Sequence, residues 1–178
     1  MKTLIIIMLL IGTLFPQITS ITTVPPLNKT FAEVIRIEKI DTAKAIFGNG
    51  IMISYAKIDG DSANISYFFT PENILSHKVY GIILFNRTGK AALKKFREIT
   101  QKFTAMHGKP ILAELIQELP ETDAEKLHQI YKGSTLMTAF ETDSYYIMVS
   151  LTVESETKVL RLDIRYISPD QWARIFAQ

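Results

Sequence analysis

The residues able to do chemistry in this chain are few and scattered. Asp59, Asp61 and Asn64 form the tightest acidic group. Oxygen ligands at alternate positions suit calcium, but an EF-type loop also needs a glycine at its sixth position and a glutamate at its twelfth. Asn64 and Thr70 stand there instead. The segment from Asp59 to Ala63 reads as a hairpin turn, because Asp, Gly, Asn and Ser accept the backbone angles that turns require. Gly89-Lys90 sits between an apolar run and an amphipathic one. That is the setting of a phosphate loop, where helix-end amides face an anion. A Walker pattern further requires glycine at position 84 and Ser or Thr at position 91, and Leu84 and Ala91 occupy those places. Residues 86–89 are therefore a connector, with Thr88 as a helix cap.

Nucleophiles and metal ligands fare no better. His77, His107 and His128 are far apart, and none lies in the His-Glu-x-x-His spacing that presents two zinc ligands on one helical face. There is no Gly-x-Ser-x-Gly elbow. There is no cysteine, which removes disulfides, thiolate nucleophiles and thiolate metal sites. Eighteen acidic side chains are present, but no pair can be set at the ~5–9 Å of glycosidase chemistry from sequence alone. The expectation is no catalytic residue, no metal and no cofactor.

Charge is more informative than motif. The formal net charge is only +2, which makes no general case for nucleic acid. Locally the balance breaks. Residues 87–109 carry Arg87, Lys90, Lys94, Lys95, Arg97, Lys102 and Lys109 against Glu98. Residues 114–125 carry Glu114, Glu118, Glu121, Asp123 and Glu125 with no base. In the basic segment, Ala92, Leu93, Phe96, Ile99, Phe103 and Met106 recur at intervals of three and four, the stripe of a helix over 90–106. Lys90, Lys94, Arg97 and Lys102 fall on its other face and are the candidate binding residues. They suit an acidic partner, an anionic lipid or a glycan, or they form a solvated face whose bases drift toward the negative helix end.

Around that helix the periodicity predicts an α+β fold. An antiparallel sheet of five to seven strands carries the main helix across one face. Strands are expected at 51–58, 64–70, 80–85, 135–141, 145–153 and 159–167. In the last two, Tyr145, Ile147, Val149, Leu151 and Val153, and then Leu160, Leu162, Ile164 and Tyr166, alternate with polar neighbours, as in strands with one wet face. Residues 30–47 are ambiguous. Thr30 and Glu33 make a capping box, yet β-branched residues alternate as in a strand, and a short helix fits 42–47. Apolar residues at 111–119 form a second stripe. A helix capped by Thr122 and Glu125 spans 123–132, and another spans 169–177. Thr70-Pro71-Glu72 and Ser168-Pro169-Asp170 both read as helix starts, an echo consistent with a duplicated unit. Tyr145 reads as core and Tyr146 as exposed, with Trp172 pinning the last helix to the sheet.

The first twenty residues set the location. Lys2, the apolar run from Leu4 to Phe15, Pro16 and the small Ser20 have the layout of a secretory signal peptide. The run has about twelve residues, short of the ~20 that span a bilayer. Residues 21–29, with Pro25-Pro26, read as an extended spacer, and 30–178 as one domain. Asn28, Asn64 and Asn86 lie in Asn-x-Ser/Thr sequons, glycan acceptors in a eukaryotic secretory route. The expected product is periplasmic or secreted, with no transmembrane span after cleavage. Two functions fit. One is a non-catalytic binding or accessory module that meets an envelope or extracellular protein, or an anionic surface. The other is a small exported hydrolase whose carboxylate or histidine site is scattered in sequence. A cleft with converging His, Asp or Glu side chains would favour the second.

Overall fold

The computed structural model describes residues 17–18, 21–85, 87–112, 122–154 and 156–176. The apolar stripe at 111–119, the acids Glu114, Glu118 and Glu121, and the sequon residue Asn86 lie wholly or mostly outside that set. The elements in chain order are β1 (Gln17–Ile18), α1 (Phe31–Glu38), β2 (Ile46–Gly48), β3 (Ile51–Ile58), β4 (Asp61–Phe69), β5 (Leu75–Ile83), α2 (Gly89–His107), α3 (Asp123–Tyr131), β6 (Leu136–Glu141), β7 (Tyr146–Val153), β8 (Leu160–Ile167) and α4 (Pro169–Phe176). The fold is α+β, as the patterning predicts.

One sheet organises the molecule. Its order is β3-β4-β5-β8-β7-β6, with every pair antiparallel. Two three-stranded meanders, β3–β5 and β6–β8, thus meet edge to edge where β5 pairs with β8. The outer edge of β3 is covered in two pieces: β2 pairs antiparallel with Ile51–Ile53, and β1 pairs parallel with Lys57 and Ile58. Short covering strands of this kind blunt an edge that would otherwise present bare amides and carbonyls.

Alternation sets the two faces of the sheet. Ile65, Tyr67, Tyr80, Ile82, Phe140, Ile147, Val149, Leu151, Leu162, Ile164 and Tyr166 point to one side and are buried there. Three helices close that side. Val34 of α1, Leu93, Phe96, Ile99 and Phe103 of α2, and Ile130 of α3 join the same core. Phe103 packs against Phe140 and Tyr166, with ring centroids 5.9 and 6.3 Å apart. Met106, expected on the stripe, is 53% exposed. It sits in the last turn, where the inward position is taken by His107, which stacks on Phe103 and lies edge-on to Tyr145 before Gly108 caps the helix. The fourth helix lies on the opposite face. Trp172 stacks flat on Tyr146 at 4.4 Å, and Phe176 covers Trp172 at 4.1 Å.

Several local expectations change. The Thr30–Glu33 capping box forms in full and makes 31–38 helical, so reciprocal capping outweighs the β-branched residues. No helix forms at 42–47. Asp41 accepts from the Ala43 amide in a turn, and Ile46–Gly48 goes to the sheet edge. The first hairpin turn is only Asp59-Gly60, both with positive φ (50° and 83°), the pattern of a two-residue turn matched to strand twist. Asp61 is already paired with Ile58 in the ladder. Thr70-Pro71-Glu72 starts no helix: the Asn73 amide closes a turn on the Thr70 carbonyl at 2.8 Å, and β5 follows at once. Ser168 does cap a helix, its Oγ accepting from the Gln171 amide.

Residues 21–29 are extended but laid against the rest of the chain. Ile21 and Pro25 are buried. Tyr166 Oη donates to the Ile21 carbonyl at 2.5 Å, and the amides of Asn28 and Leu75 bond the carbonyls of Leu75 and Lys29. Among the described residues, no helix is long and apolar enough to cross a membrane.

Candidate functional site

The candidate basic residues all lie on α2. Thr88 caps that helix, its Oγ1 accepting from the Ala91 amide at 3.3 Å, so residues 89 onward start the turn that carries the lysines. A Cβ at Gly89 would stand 2.8 Å from the end of the Leu127 side chain of α3, which packs over this turn and would have to shift. Lys90, Lys94 and Lys102 are exposed, as their place opposite Leu93, Phe96 and Phe103 demands. Lys94 reaches Glu98 at 3.8 Å, one turn on, a surface pair worth ~0.3–0.5 kcal/mol.

Arg97 has a different task. Its guanidinium grips Asp123 in a two-pronged pair, with Nη1 to Oδ2 at 3.0 Å and Nη2 to Oδ1. Asp123 is the first residue of α3, so Arg97 ties α2 to α3. The pair holds the Asp123 carboxyl below its ordinary range.

A residue not singled out from the sequence completes the picture. Lys95 is 8% exposed, although its neighbours Lys94 and Lys102 point to solvent. Its Nζ reaches Asp61 Oδ2 at 2.5 Å. Arg87 donates to the same carboxylate from Nε and Nη2, both at 2.9 Å. Burial pushes the Asp61 carboxyl up, but the hydrogen bonds and charges of Arg87 and Lys95 outweigh it and hold it below the usual range. The sequence does contain the signal: Ala92, Lys95 and Ile99 are spaced by three and four, so Lys95 borders the buried stripe. A lysine there must find an anion, since an unpaired buried charge is far costlier than a paired one.

Together these groups line a groove of about 510 Å³ between α2 and the β3–β4 turn, walled by Asp59, Arg87, Lys94, Lys95, Glu98 and Lys102 with Ala91 and Ile99. Its cations outnumber its acids. The helix thus presents Lys90, Lys94 and Lys102 outward, with a mainly cationic cleft along one flank.

A second ionic cluster lies under α1. Lys78 is 1% exposed on the core face of β5. Its Nζ reaches Glu38 Oε2 at 2.6 Å and sits 5.0 and 4.6 Å from the rings of Tyr67 and Tyr80. Tyr67 Oη donates to the same carboxylate oxygen at 3.2 Å. Desolvation pulls the Lys78 pKa down against the opposing pull of Glu38. The group pins the C-terminal end of α1 to the sheet.

The histidines stay apart. His77 stacks on Phe68 at 4.0 Å on the face opposite α2, His107 ends α2 and stacks on Phe103 at 6.1 Å, and His128 is exposed on α3. Among the described residues, no three His, Cys, Asp or Glu side chains gather closely enough to hold a metal ion. Of the two described sequon residues, Asn28 is exposed in its turn and has the surface setting of a glycan acceptor, whereas Asn64 lies mid-strand with its Oδ1 buried. Comparison with family models, curated proteins and solved structures finds no match.

Proposed function

We propose that this chain is an exported, non-catalytic binding module that meets an anionic surface through the outer face of α2. The observation that carries the reading is the alignment of Lys90, Lys94 and Lys102 on one exposed helical face, beside a groove to which Arg87 and Lys95 add charge. Arg97 is withdrawn from that face by Asp123 and serves as a brace. The leader-like N-terminus supports the exported half of the reading, since its charged start, apolar run and small terminal residue are those of a secretory signal.

Lysines near an anionic leaflet contribute about 1 kcal/mol each, within a Debye length of ~10 Å at 0.1 M salt. Co-sedimentation with vesicles of phosphatidylglycerol, against phosphatidylcholine vesicles, tests the reading. The unaltered chain should bind only the anionic vesicles and release them as salt rises. Reversing Lys90, Lys94 and Lys102 to Glu should weaken binding by roughly 100-fold or more while the melting temperature stays nearly constant. Equal binding by the triple variant would leave α2 with an ordinary solvated face and end the proposal.

A further inference from the structure

The groove beside α2 holds charge at its floor that the fold itself does not balance. Lys95 and Arg87 share the one carboxylate of Asp61. The side chains of Lys95 and Asp61 are both about nine-tenths buried. Two cations on one anion leave a positive charge where little water reaches it, and such a charge is costly unless an anion meets it. Donors are also spare. A lysine ammonium has three N–H donors and an arginine five; Lys95 gives one to Asp61 and Arg87 gives two. Both side chains line the open groove.

Size and lining narrow what would fill it. The volume of about 510 Å³ lies within the ~300–1,000 Å³ of small-molecule sites. The wall from Ala91 to Lys102 runs about 16 Å along α2, at ~1.5 Å per residue. That is far longer than a bare ion. Of the lining residues only Ala91 and Ile99 are apolar, so the occupant is polar. With Asp61 included, the four cations Arg87, Lys94, Lys95 and Lys102 face the three acids Asp59, Asp61 and Glu98. The excess is one positive charge. Glu98 is engaged by Lys94 at 3.8 Å. Asp59 stands on the facing turn, near enough to act on the Arg87 charge, and offers an acceptor.

We propose that the groove binds a polyol phosphodiester, the chemical group of a phosphatidylglycerol head. Its single negative charge matches the excess of one. Its phosphate oxygens take donors from Arg87, Lys94 and Lys95. Three separate side chains suit a tetrahedral group better than a planar carboxylate, which one arginine fork satisfies alone. Its hydroxyls donate to Asp59, which would only repel an anion that brought no donor. As a seat for a lipid head, the groove rests on the anionic-surface reading of α2; as a site for the same group in solution, it stands apart from that reading.

The test is calorimetric titration at low salt with three monoanions. Glycerophosphoglycerol is the probe. Dimethyl phosphate has the charge without the hydroxyls, and gluconate has hydroxyls with a carboxylate. Glycerophosphoglycerol should saturate the protein about tenfold more tightly than either, the difference one hydrogen bond makes. Arg87→Ala should weaken it at least tenfold, while Lys95 still holds Asp61 in place. Asp59→Gly keeps the turn, because glycine accepts the φ of 50° found there. It should bring the two phosphodiesters to equal affinity, whereas plain charge attraction would tighten both and keep their order. Failure of glycerophosphoglycerol to saturate, equal binding of dimethyl phosphate or gluconate, or a preference that survives Asp59→Gly would each overturn the assignment. Vesicles separate the sources. Given saturation in solution, stronger binding to phosphatidylglycerol than to phosphatidylserine vesicles assigns the lipid head, and equal binding assigns the soluble group. Saturation without any vesicle binding would end the anionic-surface reading and leave the groove; vesicle binding without saturation would do the reverse.

Discussion

His77 shows how one ring can set a pH limit on the whole chain. It stacks on Phe68, and its Nδ1 lies 3.0 Å from Ser76 Oγ. Burial, and then the nearby Arg165 charge, lower its pKa from 6.5 to about 4. The folded chain therefore holds the ring neutral at pH values where the unfolded chain has already taken up a proton. Stability from this source is complete above pH 6.5 and is lost as pH falls toward 4. Melting temperature measured across that window should decline, and His77→Gln should flatten the decline. A variant with the same slope as the parent would show that the ring is not the group responsible. Asp61 acts separately, since its carboxyl titrates below its ordinary 3.8 and its contribution disappears only in stronger acid. Neither effect was legible in the chain. Periodicity marks Lys95 and Lys78 as borderline, but their partners Asp61 and Glu38 are 34 and 40 residues away, and only the fold brings them together.

Helix α2 joins the core to the charged surface, and its two faces can be probed separately. Phe96 is 1% exposed among the core side chains, whereas Met106 is 53% exposed in the last turn. Phe96→Ala should cost about 3–5 kcal/mol by removing a large side chain from a closed core. Met106→Ala should stay within about 0.5 kcal/mol. Chemical denaturation of the two variants measures the contrast, and a near-neutral Phe96→Ala would mean that α2 presents a different face to the sheet. This element was the most legible in the chain because its stripe is long and capped by Thr88. The shorter pieces were harder. At 42–47 a plausible cap at Asp41 competes with an open sheet edge on β3, and the edge wins. At 70–72 the hydroxyl, proline and acid that begin a helix after β8 instead close a turn after β4. The same hydroxyl-proline-acid pattern serves both because its residues fix only the first corner of the chain.

At the scale of the molecule, the seam between β5 and β8 decides what the rest can do. It joins the two meanders along seven residue pairs, from His77 with Ile167 to Ile83 with Arg161. Amides in these two strands should exchange with solvent last, and those of the edge strand β2 first; exchange followed by mass spectrometry or NMR reads the order directly. Faster exchange in β5 than in β2 would contradict the topology. The sheet class and its six long strands were readable from alternation, whereas the two short edge strands that bring the sheet to eight were not; nor was the strand order, because each strand carries the same two-residue period whichever neighbour it takes. That order also carries a consequence in time. The strand that completes the middle of the sheet is the last one synthesised. Until Leu160–Ile167 emerges, β5 and β7 each wait with an unpaired inner edge, and the first meander remains an isolated ribbon however long ago it was made. A chain cut short before position 160 would keep both sticky edges, whereas one that lost only α4 would still close.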